Sequence, residues 1–129
     1  MARSPHFSLR HIARTLTRRA GAPLLAALFL TRCGSEALEV NGGAGRTFAV
    51  AAGQELDIRL QNIGPGEYRA PPAISSGAIK FLDVSVVGPP VPAGETQLFR
   101  FRAITPGRSL VTFRHTEQSA VVIDTVEVR

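Results

Sequence analysis

Side chains able to do chemistry are scarce in this chain. Of its 129 residues one is cysteine, Cys33, and three are histidine. His6 and His11 lie close to the N-terminus, which leaves His115 alone in the body of the chain. A lone cysteine excludes an internal disulfide and a cysteine-based zinc site, and scattered histidines argue against a multi-histidine metal centre. A nucleophilic triad would have to join His115 to Ser85 or Ser119 and to Glu117 or Asp124. No GxSxG turn surrounds any serine. His115, which ends an apolar run and precedes Thr116-Glu117, reads as a solvated strand-end histidine. The acid pairs Glu55/Asp57 and Asp124/Glu127 read as solvent-facing strand positions rather than a glycosidase pair or a calcium site. Gly42-Gly43-Ala44-Gly45 is followed by neither a lysine nor a helix start, so it lacks the parts of a phosphate loop. The expectation is a non-enzyme with no cofactor and no metal.

Charge narrows the partners. The formal net charge is +5, but residues 1–33 hold six arginines (Arg3, Arg10, Arg14, Arg18, Arg19, Arg32) and no acid. The remaining residues carry 9 basic side chains against 10 acidic ones, a net of −1. Arg100, Arg102 and Arg114 form at most a small positive stripe. A nearly neutral body without an exposed aromatic ladder lacks the electrostatic footprint of nucleic-acid binding.

The basic leader continues into an apolar run, Ala22 to Leu30. Such a run is far short of the ~20 residues that span a bilayer, whereas a positive segment before a short apolar one is the arrangement of a secretory signal. Leu30-Thr31-Arg32-Cys33 resembles a bacterial lipobox. Leu30 fits it, and Arg32 stands where a small residue is usual. Three readings stay open: lipidation at Cys33, plain signal cleavage near Gly34, or an amphipathic or disordered basic tail. The first two imply export to the periplasm or cell envelope, with the membrane touched only through an anchor at Cys33.

Residues 34–46 are small and polar and read as a flexible tether. From residue 47 to 129 the pattern is all-β, with short β-branched and aromatic runs punctuated by Gly and Pro. The runs are Thr47–Ala51, Glu55–Asn62, Ile79–Val87, Thr96–Ile104, Leu110–His115 and Val121–Val128. In Glu55–Asn62 the residues Leu56, Ile58 and Leu60 alternate with Asp57, Arg59 and Gln61, the period of a half-buried strand. Phe99, Phe101 and Ala103 alternate with Arg100 and Arg102 in the same way. About seven short strands at this spacing suggest one monomeric immunoglobulin-like β-sandwich.

In a sandwich alternate loops emerge at the same end, which would bring three of them together. They are Asn62-Ile63-Gly64-Pro65-Gly66-Glu67-Tyr68, Gly88-Pro89-Pro90-Val91-Pro92-Ala93-Gly94 and Arg114-His115-Thr116-Glu117-Gln118. Loops stiffened by proline and glycine lose little entropy on docking. Tyr68 and Arg114 are residue types common among interface anchors. The alternative for Tyr68 is a corner tyrosine packed on the sandwich.

From Gly53 to Arg129 the chain resembles the chagasin-type inhibitors of papain-like cysteine proteases. The resemblance rests on "GQELDIRL", on "GETQLFRFRAITPGRSLVTFRH" and on the closing "TVEVR". Asn62, Gly66 and Tyr68 can be laid on the asparagine, glycine and tyrosine of the family's NPTTGY loop. Gly88 and Gly94 fall where its GxGG loop would be, and Arg114 on the arginine of its Arg-Pro-Trp loop. The tryptophan is absent. This resemblance implies an inhibitor that fills the protease cleft with end loops: Asn62, Gly64, Pro65, Gly66 and Tyr68; Gly88, Pro89, Pro90, Pro92 and Gly94; Arg114, His115 and Thr116. The competing reading is a non-catalytic structural or partner-binding β-sandwich module of a bacterial surface lipoprotein.

Overall fold

The computed structural model describes residues 36–88 and 94–129. The leader with Cys33, and Pro89, Pro90 and Pro92 of the second loop, lie outside the described residues. Eight strands occur in chain order: β1 (Leu38–Asn41), β2 (Thr47–Val50), β3 (Glu55–Gln61), β4 (Ala73–Ile74), β5 (Ile79–Val87), β6 (Thr96–Ala103), β7 (Gly107–Arg114) and β8 (Val121–Val128). They form two four-stranded sheets, ordered β1-β3-β6-β5 and β2-β8-β7-β4. The β1–β3 and β2–β8 pairs are parallel and the others antiparallel.

Alternation builds the core. In the β3–β6 register Leu56 faces Phe101 and Ile58 faces Phe99, so two apolar rows point inward from one sheet. Val111 and Phe113 of β7 and Val126 and Val128 of β8 point inward from the other, and Phe99, Phe101 and Phe113 are fully buried. Each such side chain contributes about 1.5–3 kcal/mol of transfer energy. This core forms without a disulfide.

The tether expected over residues 34–46 is corrected. Leu38 and Val40 alternate with Glu39 and add β1 to the edge of β3, where both apolar side chains pack on the core. The chain then crosses to the other sheet, and its passage is fixed by Asp124. The Asp124 carboxylate is fully buried and accepts the backbone N–H groups of Gly43 (3.1 Å) and Arg46 (3.2 Å). Asp124 is therefore not the solvent-facing residue expected. Burial pushes its pKa up, and the two amide bonds and the Arg46 charge oppose that shift.

The outer face of the first sheet is a ladder of ion pairs. Arg59 pairs with Glu39, Arg102 with Glu55 at 2.5 Å, and Arg100 lies 3.7 Å from both Asp57 and Asp83. Exposed pairs of this kind contribute about 0–1 kcal/mol each. Asp57 departs from the expected solvent-facing position, because it is only 7% exposed and one carboxylate oxygen has no hydrogen-bond partner. Burial raises its pKa, and Arg100 only partly opposes that shift. A raised folded-state pKa means that ionisation of Asp57 costs stability at neutral pH, and that this cost vanishes as pH falls below its unfolded value, about 3.9. Asp57→Asn is accordingly expected to raise the urea midpoint at pH 7 and to lose that advantage by about pH 3. An advantage that grows on acidification would contradict the assignment.

Candidate functional site

The loop that follows β3 meets the loop that follows β7, and Gly94 and Glu95 just before β6, at one end of the sandwich. Asn62 N–H donates to the Glu95 carbonyl at 2.9 Å, and the Gln61 side-chain amide donates to the Gly94 carbonyl at 2.7 Å. These bonds tie the first loop to the far shoulder of the second. Gly94 (φ +109°) lies so close to Asn62 that an added Cβ would stand 2.9 Å from its carbonyl oxygen. On the other side, Glu67 and Thr116 are bonded twice. Glu67 N–H donates to Thr116 Oγ1 at 3.0 Å, and Thr116 N–H donates to the Glu67 carbonyl at 2.8 Å. Arg69 N–H reaches the Arg114 carbonyl at 2.9 Å, and the Gln118 side-chain amide donates to the Ile63 carbonyl. The first loop is thus bonded on one side to Gly94 and Glu95 and on the other to the third loop, while the body of the second loop lies outside the described residues.

Two of the candidate loop residues lie beneath the loops. Tyr68 is 6% exposed, with its ring edge-on to Phe113 (6.5 Å between centroids) and to His115 (5.2 Å). It takes the corner-packing alternative, and burial raises its hydroxyl pKa. His115 is 5% exposed, which corrects the solvated strand-end reading. Its Nδ1 accepts the backbone N–H groups of Glu117 and Gln118, both at 3.2 Å. The ring is the cap that shapes the turn after β7. Asn62 is also buried, at 2% exposure.

The exposed rim consists of Ile63, Pro65, Gly66 and Glu67 from the first loop and Thr116, Glu117 and Gln118 from the third. Gly88 is exposed and Gly94 half-buried on the shoulders of the second loop, and Gly64 is half-buried. Arg114 is exposed at the end of β7, beside Arg69. Ile63, 69% exposed, is the most exposed large apolar side chain of the described residues. It was not singled out from sequence, although an isoleucine among turn-forming residues is a readable signal. Gln97 was also missed. Its buried side chain accepts the Tyr68 N–H at 2.7 Å and donates to the Tyr68 carbonyl at 3.0 Å, which fixes the exit of the first loop.

No cluster of three or more His, Cys, Asp or Glu able to hold a metal occurs among the described residues. Ser85 and Ser119 make no hydrogen bond to His115, whose Nδ1 is already engaged by two amides.

No protein-family model and no curated protein sequence matches this chain. Solved structures do resemble it. The solution structure of amebosin matches with a TM-score of 0.53 at 13% identity, over 73% of this chain and 99% of that one. The crystal structure of a cysteine protease inhibitor from Entamoeba histolytica matches with a TM-score of 0.54 at 10% identity, over 72% of this chain and 96% of that one. At these identities the likeness is one of fold, and that fold is the chagasin-like, immunoglobulin-like sandwich.

Proposed function

We propose that the domain is an inhibitor of papain-like cysteine proteases that acts by steric occlusion, with the end loops seated in the protease cleft. The observation that carries the reading is the laced loop end with an apolar side chain, Ile63, at its tip. Steric inhibition asks for no catalytic group. It asks for a rigid wedge that desolvates well and offers no extended backbone for cleavage. Gly64 (φ +77°) and Gly66 (φ +93°) hold the tip in a left-handed backbone that a protease cannot read as a strand. The hydrogen bonds across the loops fix this shape before binding, so little ordering entropy remains to oppose docking. The fold is shared with a protein named as a cysteine protease inhibitor, which supports the reading without carrying it. The basic, apolar leader supports an exported location, where such an inhibitor would meet extracellular proteases.

Titration of papain with the purified domain tests the proposal. Inhibition with a constant below about 1 μM, corresponding to about −8 kcal/mol, is expected. Full papain activity at tens of micromolar domain would sink it and leave the loop end to a different protein partner.

A further inference from the structure

The arginines of the sheet faces are neutralised. Arg59, Arg100, Arg102 and Arg108 each have a carboxylate partner within the domain. Arg69 and Arg114 have none among the described residues, and both are exposed. They are set apart from other unpaired cations by sharing a site. Backbone pairing places them side by side, and both line a cleft of about 350 Å³ next to the third loop. His115 and Val121 also line this cleft, with Gln118 and Ser119, whose side chains can donate hydrogen bonds. Arg69 and Arg114 also line a second hollow, of about 130 Å³, beside Pro71 and Thr112. Neither hollow is lined by an acid.

Two guanidinium groups in one cleft repel each other unless an anion stands between them. A planar carboxylate matches the guanidinium fork, taking two parallel hydrogen bonds from one group while its remaining lone pairs accept from the other. We propose that Arg69 and Arg114 form a clamp for a carboxylate side chain of the docked protein, an Asp or Glu at the rim of the cleft that receives the loops. The proposal rests on the inhibitor reading and deepens it, because it assigns acidic chemistry to one side of the partner's rim. The hollow adjoins the third loop, so a partner seated on the loop end would also cover the clamp. A nearly neutral body speaks against nucleic acid as the source of the anion.

The test uses the full chain and an acetylated, amidated tetraglutamate peptide, with tetraglutamine as the neutral control. Arginine Nε resonances are followed by NMR. Arg69 and Arg114 are expected to shift with tetraglutamate and not with tetraglutamine, while Arg108 stays in place. The double variant Arg69→Gln/Arg114→Gln is expected to weaken the peptide about tenfold, and Arg69→Lys/Arg114→Lys, which keeps charge but loses the fork, to fall between. Unshifted Arg69 and Arg114, shifts spread equally over all arginines, or equal affinity in the glutamine variant would each overturn the clamp. Stronger shifts with inorganic phosphate than with the peptide would also overturn it as a protein carboxylate site. Papain inhibition is not the readout, so failure of the inhibitor reading leaves this result interpretable.

Discussion

Phe113→Ala is expected to destabilise the domain by about 3–5 kcal/mol, a large part of the 5–15 kcal/mol that holds a domain of this size. Phe113 is fully buried on β7, and its ring stands edge-on to Phe99 (4.8 Å) and Phe101 (6.4 Å) of the opposite sheet. It is therefore the contact through which the two sheets grip each other. Its third aromatic neighbour is Tyr68, so the cavity left by alanine opens directly beneath the first loop. Removing the ring deletes buried apolar area and leaves a void that close-packed neighbours only partly fill. Phe113→Leu keeps most of that volume and should cost less than half as much. Urea unfolding of the three proteins at pH 7 checks the ranking. A cost below 1 kcal/mol for alanine would mean that the sheets are held elsewhere.

The strands were legible where β-branched and aromatic runs were long. Ile79–Val87 and Val121–Val128 have the bounds that their sequences predict, because runs of eight or nine residues rich in such side chains between turn formers leave little choice. Two strands escaped. Leu38–Asn41 shows a single alternation inside a small, polar stretch, and Ala73–Ile74 is two residues long. Both exist because a neighbouring strand offers an edge, which is a tertiary cause that local pattern does not contain. Part of the site was legible in outline, since the loops that follow β3 and β7 do converge. Three of the departures have one physical origin. Gln97, His115 and Asp124 share the inward parity of Phe99, Phe113 and Val126, yet polar residues at these positions suggest solvent unless their partners are known. Those partners lie far away in sequence: Tyr68 for Gln97, and Gly43 and Arg46 for Asp124. Only His115 finds its hydrogen-bond partners nearby, in the turn that it caps.

Gly66→Val is expected to weaken protease inhibition by at least about 30-fold, the size of effect that removal of an interface anchor produces. Gly66 sits at φ +93°, a conformation strained for any side chain and most of all for a β-branched one. Even a Cβ would stand 2.5 Å from Glu117 Cγ, 2.8 Å from His115 Cε1 and 2.8 Å from Thr116 Oγ1. The imidazole is fixed by its two amide bonds and cannot yield, so the first loop must lift away from the third. That movement breaks the paired Glu67–Thr116 hydrogen bonds and displaces the Ile63 tip. The sheets are untouched, and the expected loss of stability is confined to about 1–3 kcal/mol. The decisive measurement is the inhibition constant of wild type and Gly66→Val against one papain preparation, at a temperature where circular dichroism shows both folded. A rise of about 30-fold or more in a folded variant is expected if the laced loop end is the docking face. Equal constants in two folded proteins would contradict that placement outright.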